Sequence, residues 1–124
     1  MDEIIGMEFD WYAVDKSDNI AMFAAGGSCK VPEKVYEFYK EYQKIRELID
    51  EPNYGSEQVW QDHADVGFFV FETDLSGHPY EKQAEPAGPM DSNLKQKIMS
   101  LPNLPRYNIS FRGISTFDNI EDWT

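Results

Sequence analysis

Residues 67–73 read GFFVFET, and this run constrains the fold more than any other part of the chain. Aromatic and β-branched side chains without polar alternation suit a strand covered on both faces, or at least one central in its sheet. Two further runs have strand character. Residues 9–15 (FDWYAVD) and 20–25 (IAMFAA) flank a polar cluster of Asp15, Lys16, Ser17, Asp18 and Asn19. Short apolar runs around a polar loop predict a β-hairpin. Asp and Asn suit that loop because their side chains bond nearby backbone and tolerate left-handed conformations. Gly26 and Gly27 then end the second strand.

Helical periodicity is strongest just beyond. Val35, Phe38, Tyr39, Tyr42, Ile45 and Ile49 recur at spacings of three and four, which marks one face of a long amphipathic helix. Lys34, Glu37, Lys40, Glu41, Lys44 and Glu47 fall on the opposite face. Pro32 suits the first helical position, where its missing N–H costs nothing, and Glu33 favours the positive end of the helix dipole. Pro52 stops the helix near Asp50. Ser56 is a candidate cap for a short helix through Glu57, Val59 and Trp60.

Residues 74–89 contain Gly77, Pro79, Pro86, Gly88 and Pro89, which predicts a long loop. Loops of that length are uncommon in compact domains and often functional or mobile. Residues 92–100 suit a short helix with Leu94, Ile98 and Leu101 on one side. Tyr107, Ile109 and Phe111 alternate with Asn108, Ser110 and Arg112, the pattern of a half-exposed strand. An acidic tail follows, with Phe117, Ile120 and Trp123 available to pack. The order predicts one globular α+β domain over residues 1–124. Its sheet is mostly antiparallel, with one long amphipathic helix packed on a face and short helices besides.

Composition narrows the function classes. The chain has 124 residues, 41% hydrophobic and 15% aromatic, enough to build a core. Eleven Lys and Arg against 23 Asp and Glu give a formal net charge of −12. Nucleic-acid binding through a basic face is disfavoured, because phosphate contacts need clustered cations. An anionic membrane surface repels such a chain for the same reason. No stretch approaches the ~20 apolar residues that span a bilayer. The acidic start, Met1-Asp2-Glu3, lacks the positive charge and apolar run of a secretory signal, which predicts a cytoplasmic protein. A lone cysteine, Cys29, cannot form an intramolecular disulfide and fits a reducing compartment.

Motifs with chemical content are few. Asp15, Ser17 and Asn19 occupy positions one, three and five of a calcium-type loop. Position six should be glycine but is Ile20, and position twelve should be glutamate but is Gly26, so a hairpin turn accounts for them better. His63 between Asp62 and Asp65 offers a metal or acid–base pair, yet two separated histidines and one cysteine are a thin ligand supply. A solvated histidine on a short helix is the simpler reading. Cys29 precedes a helix, where a thiolate would gain stability, but no nucleophile motif surrounds it. Gly26, Gly27 and Ser28 lack both a P-loop lysine and a G-x-G-x-x-G frame. The residues therefore predict neither metal nor cofactor, and no enzyme. The alternative is a small enzyme or ligand-binding domain with a pocket near Asp62, His63 and Cys29. Self-association through an exposed sheet edge is a third possibility.

The segment DWYAVDKSDNIAMF, residues 10–23, resembles the opening of a group of small bacterial proteins. In that group an aromatic strand ending in Asp turns into I-A-x-F, followed by a Gly pair and Val-Pro, here Gly26, Gly27, Val31 and Pro32. Gly67-Phe68-Phe69-Val70-Phe71 with acidic residues after it, and Pro79-Tyr80 before a Pro-rich loop, extend the likeness over most of the chain. Members resemble immunity proteins of bacterial polymorphic toxin systems. The resemblance implies a non-enzymatic inhibitor of a toxin by steric and electrostatic occlusion, with no catalytic residues to carry over. A basic toxin domain suits an acidic, aromatic-rich surface, because charge complementarity speeds encounter and aromatic anchors supply affinity. Candidate contact residues are Tyr54, Glu57, Trp60, Asp62, Asp65, Glu72, Asp74 and Tyr80. Core packing is the competing reading for the aromatics, and Trp11, Phe68 and Phe71 are expected in the core outright.

Overall fold

A computed structural model describes residues 9–122. The acidic start and Trp123 lie outside the described residues. Strands β1 (Asp10–Val14) and β2 (Ile20–Ala24) form the expected antiparallel hairpin, with Trp11 opposite Phe23 and Ala13 opposite Ala21. Asp15 closes the loop between them. Its carboxylate accepts from the backbone N–H groups of Ser17, Asn19 and Phe111 at 2.9, 2.9 and 3.0 Å. Asp18, with φ of +63°, takes the left-handed conformation that Asp tolerates.

The chain then leaves the sheet through α1 (Glu33–Tyr36), α2 (Tyr39–Arg46) and α3 (Val59–Val66), and returns as β3 (Phe69–Glu72). Because this excursion crosses over the sheet, β3 pairs parallel to β2, with Phe23 beside Phe71. Strand β4 (Tyr80–Ala84) pairs antiparallel to β3, helix α4 (Ser92–Met99) follows, and the short strand β5 (Thr116–Phe117) closes the order β1-β2-β3-β4-β5. The fold is α+β, as expected. Its sheet is mixed: the β2–β3 pair is parallel and the other three pairings are antiparallel.

Three expectations need correction. The long amphipathic helix is broken: Phe38 leaves helical geometry at φ −119°, ψ +33°, so a four-residue α1 precedes an eight-residue α2. The periodic face is nevertheless the right one, since Val35, Tyr42, Ile45 and Ile49 are buried. Val35, Tyr36, Phe38 and Tyr39 crowd the junction, and β-branched and aromatic side chains lose rotamer freedom in helices, so packing overrides periodicity there. The expected loop over residues 74–89 contains β4. Its alternating burial was disguised by Glu81, Lys82 and Gln83 and by flanking prolines. The expected strand over residues 107–112 is instead one parallel bridge, Val14 to Arg106, followed by a 3-10 turn at Phe111–Gly113.

Both faces of β3 are covered, which explains its unbroken apolar run. On one face Trp11, Phe23 and Phe71 stack at 4.4 and 5.1 Å between ring centroids, with Tyr80 and Phe111 packed edge-on against Phe23. On the other, Tyr12 stacks on Tyr42 of α2 at 6.4 Å and meets Phe68 at 5.6 Å. Helix α2 packs on β1, and α3 packs on β3 and β4. Asp91 caps α4, its carboxylate accepting from the N–H groups of Asn93 and Leu94. No helix among the described residues is long and apolar enough to cross a membrane.

Candidate functional site

The helix-bearing face of the sheet is incompletely covered at one end. Asp10, Ala24, Glu72 and Ala84 fall there in adjacent strands, paired as Asp10–Ala24 and Ala24–Glu72. On β4 a bulge opposite Val70 and Phe71 leaves Gln83 out of register, and Ala84 pairs with Val70, one step further along the same face. The side chains of Ala24 and Ala84 are too small to reach the helices. The resulting cleft, about 840 Å³, is walled by Arg46 of α2, by residues 51 and 54–58, and by Val59, Trp60, Gln61 and His63 of α3.

The wall from 51 to 58 has no regular structure, and Asp62 anchors it. Its carboxylate accepts from the backbone N–H of Asn53 at 2.8 Å and from the Asn53 side-chain amide at 2.7 Å. Asp62 is therefore buried and does not line the cleft. Ser56 does not act as the expected helix cap; its hydroxyl donates to the Asn53 carbonyl, and Gln58 occupies the cap position.

The lining is strongly acidic. Asp10, Glu51, Glu57 and Glu72 line it together with one guanidinium, Arg46, which interacts with Asp10 and Glu51. Arg46 Nε contacts Glu51 Oε1 at 3.4 Å, and its guanidinium lies 4.7 Å from the centre of the Tyr54 ring. Burial pulls the Arg46 pKa down, but Asp10, Glu51 and a bond to Tyr54 outweigh it and the net shift is upward. Glu72 lies on the other side. Its pKa is raised, first by burial and then by repulsion from Asp74 and Glu57, with His78 partly opposing. The carboxylates on that side are thus short of positive charge.

His63, in the α3 wall, is 1% exposed. The expectation of a solvated histidine is corrected: Phe68 and Trp60 flank the ring at 5.8 and 6.4 Å. Nδ1 sits 3.0 Å from the Val59 carbonyl, which can only accept, so Nδ1 carries the proton. Nε2 is left with no hydrogen-bond partner, and its nearest ionic neighbour is Glu51 Oε2 at 3.7 Å.

The cleft gathers Tyr54, Glu57, Trp60 and Glu72 of the expected contact residues. Tyr54 is 61% exposed and Trp60 half-buried. Asp65 and Asp74 are exposed but outside the lining: Asp65 accepts from Gln61 on α3, and Asp74 closes the turn before β4 through Ser76. Tyr80 is a correction. It is fully buried, accepts from Trp11 Nε1 at 3.1 Å and donates to the Lys30 carbonyl at 2.6 Å. The alternative pocket is not assembled as expected, since only His63 of its three residues lines the cleft; Asp62 holds Asn53 and Cys29 is exposed in the loop after β2.

Sequence reasoning missed Asp10, Arg46, Glu51 and the small floor residues. The available signal was the run Ala24-Ala25-Gly26-Gly27, where a strand loses the bulk needed to fill its face. Comparison of the chain with protein-family models, with curated proteins and with solved structures finds no match in any of the three.

Proposed function

We propose that this is a non-enzymatic, acidic binding protein that inhibits a basic partner protein by steric and electrostatic occlusion at the cleft. On the resemblance read in the sequence, the partner is a toxin domain and the chain its cytoplasmic immunity protein. The observation that supports this most is the pairing of Glu57 and Glu72 with exposed Tyr54 and half-buried Trp60 around one opening. Burial and like-charge repulsion hold Glu72 above its ordinary pKa. A cationic side chain from a partner relieves that repulsion, while the two rings offer the flat apolar contact that dominates many interfaces. The overall charge of −12 adds long-range attraction to the same partner.

The test is a binding measurement with the basic product of the neighbouring open reading frame. The double substitution Glu57→Lys and Glu72→Lys should weaken the complex at least ~10-fold, since each reversal turns attraction into repulsion at the contact. Unchanged affinity removes the cleft from the interface. A second reading, a small-ligand domain, draws support from the cleft's volume, which falls within the range of ligand pockets. Binding of a neutral metabolite in the cleft, with no affinity for a cationic protein, would favour it.

A further inference from the structure

In the α3 wall of the cleft, a buried ring nitrogen of His63 has no hydrogen-bond partner. His63 is fixed: α3 places it, Phe68 packs against its ring, and Nδ1–H donates to the Val59 carbonyl. In the neutral ring, Nε2 then presents a lone pair. It is buried and has no partner, which native proteins rarely leave unanswered. Its ionic neighbour, Glu51 Oε2 at 3.7 Å, is a second acceptor when the ring is neutral and cannot satisfy it, and the buried Tyr12 hydroxyl, whose ring also packs on Phe68, makes no hydrogen bond to it. Glu51 Oε1 is engaged by Arg46 Nε, while Oε2 accepts no hydrogen bond among the described residues. Two acceptors, one of them anionic, are thus turned towards each other across a gap too long for a direct bond.

We infer that this pair is the seat for a cationic N–H donor on an alkyl stem: the tip of an arginine or lysine side chain inserted through the cleft. One nitrogen carrying two hydrogens donates to His63 Nε2 and to Glu51 Oε2 at once. Its charge is met by Glu51 and, along the path in, by Glu57 and Glu72. The stem lies between Tyr54 and Trp60, rings that favour both methylene packing and a passing cation. Nε2 is closed from solvent and Glu51 is 12% exposed, so the guest has to displace the Glu51 side chain to reach the ring. Metal binding is the weaker use of the same atoms, because no group of three His, Cys, Asp or Glu able to hold a cation occurs among the described residues.

This inference rests on the cationic-partner reading and specifies where the partner's deepest side chain ends. The experiment is a titration of the intact protein, labelled with 15N in its histidine rings, at neutral pH. N-acetyl-arginine amide, N-acetyl-lysine amide and the neutral isostere N-acetyl-citrulline amide are the probes. Before addition, His63 Nε2 should give the signal of an unprotonated ring nitrogen. Arginine or lysine amide, whichever is the natural guest, should move that signal saturably, and Glu51→Gln should weaken the effect at least ~10-fold. A doubly protonated His63 ring in the free protein overturns the inference, because Nε2 is then already a donor to Glu51. It is equally overturned if citrulline amide acts as well as the cations, or if the cations leave Nε2 unmoved. If Nε2 stays silent while the Glu57 and Glu72 reversals still abolish binding of a basic protein, the seat alone fails and the partner reading stands. If arginine amide moves Nε2 but no basic protein binds, the seat stands and the partner reading fails.

Discussion

An added Cβ at Gly26 falls 2.2 Å from the Thr73 carbonyl oxygen, and the residue sits at φ of +61°. Both the clash and the left-handed backbone count against any other residue. Gly26→Ala is expected to destabilise the protein by about 2 kcal/mol or more, read as a lower urea midpoint at unchanged slope. Tyr80→Phe removes a hydroxyl that serves both Trp11 and the Lys30 carbonyl. It should cost about 1–3 kcal/mol, because the Trp11 N–H is then left buried without an acceptor. Glu72 behaves in the opposite sense. Its folded pKa is raised, so the folded state holds this proton more tightly than the unfolded state. The penalty is present in full above the folded pKa and vanishes as pH falls below the unfolded one. Glu72→Gln should therefore stabilise slightly at neutral pH, within about 0.5 kcal/mol given its exposure to solvent. The gain over wild type should shrink as unfolding is measured at more acid pH. At this scale the sequence was a partial guide. Trp11, Phe68 and Phe71 were legible as core, whereas Tyr80 was not, because a Tyr after Pro79 in a polar stretch looks the same whether its ring points in or out.

The elements that build the cleft were the least legible. The hairpin, β3 and α4 could be read because each depends on local pattern: apolar runs around a polar loop, an unbroken apolar run, and Leu94, Ile98 and Leu101 on one side of a helix. The break at Phe38 and the strand at Tyr80–Ala84 depend instead on what the segment packs against, which periodicity does not encode. The wall at residues 51–58 is a further case, since it is held by Asp62, a residue that looked like surface charge between Gln61 and His63. Asp62→Ala should release Asn53 and loosen this wall. Amide exchange at residues 53–58 is expected to quicken by about ten-fold or more while β1–β3 remain protected. Unchanged exchange there would mean that the wall is held by other contacts.

Across the whole molecule, two electrostatic features are set by burial and by net charge. Burial pushes the phenols of Tyr12, Tyr42, Tyr80 and Tyr107 above their ordinary pKa. The unfolded chain releases these protons near pH ~10 and the folded chain holds them, so stability should fall as pH rises past that point. Tyrosinate absorbance from these rings should then appear together with unfolding. Net charge bears on function. An acidic chain that sets Glu57 and Glu72 beside Tyr54 and Trp60 at one cleft should bind a cationic protein faster and more tightly as salt is lowered. The most direct measurement is the affinity for the basic product of the neighbouring open reading frame at about 50 and about 500 mM salt. A complex that weakens at least ~10-fold over that range, and is lost on reversing Glu57 and Glu72, is the expected result. No complex at either salt, or one indifferent to both salt and the reversals, would contradict it.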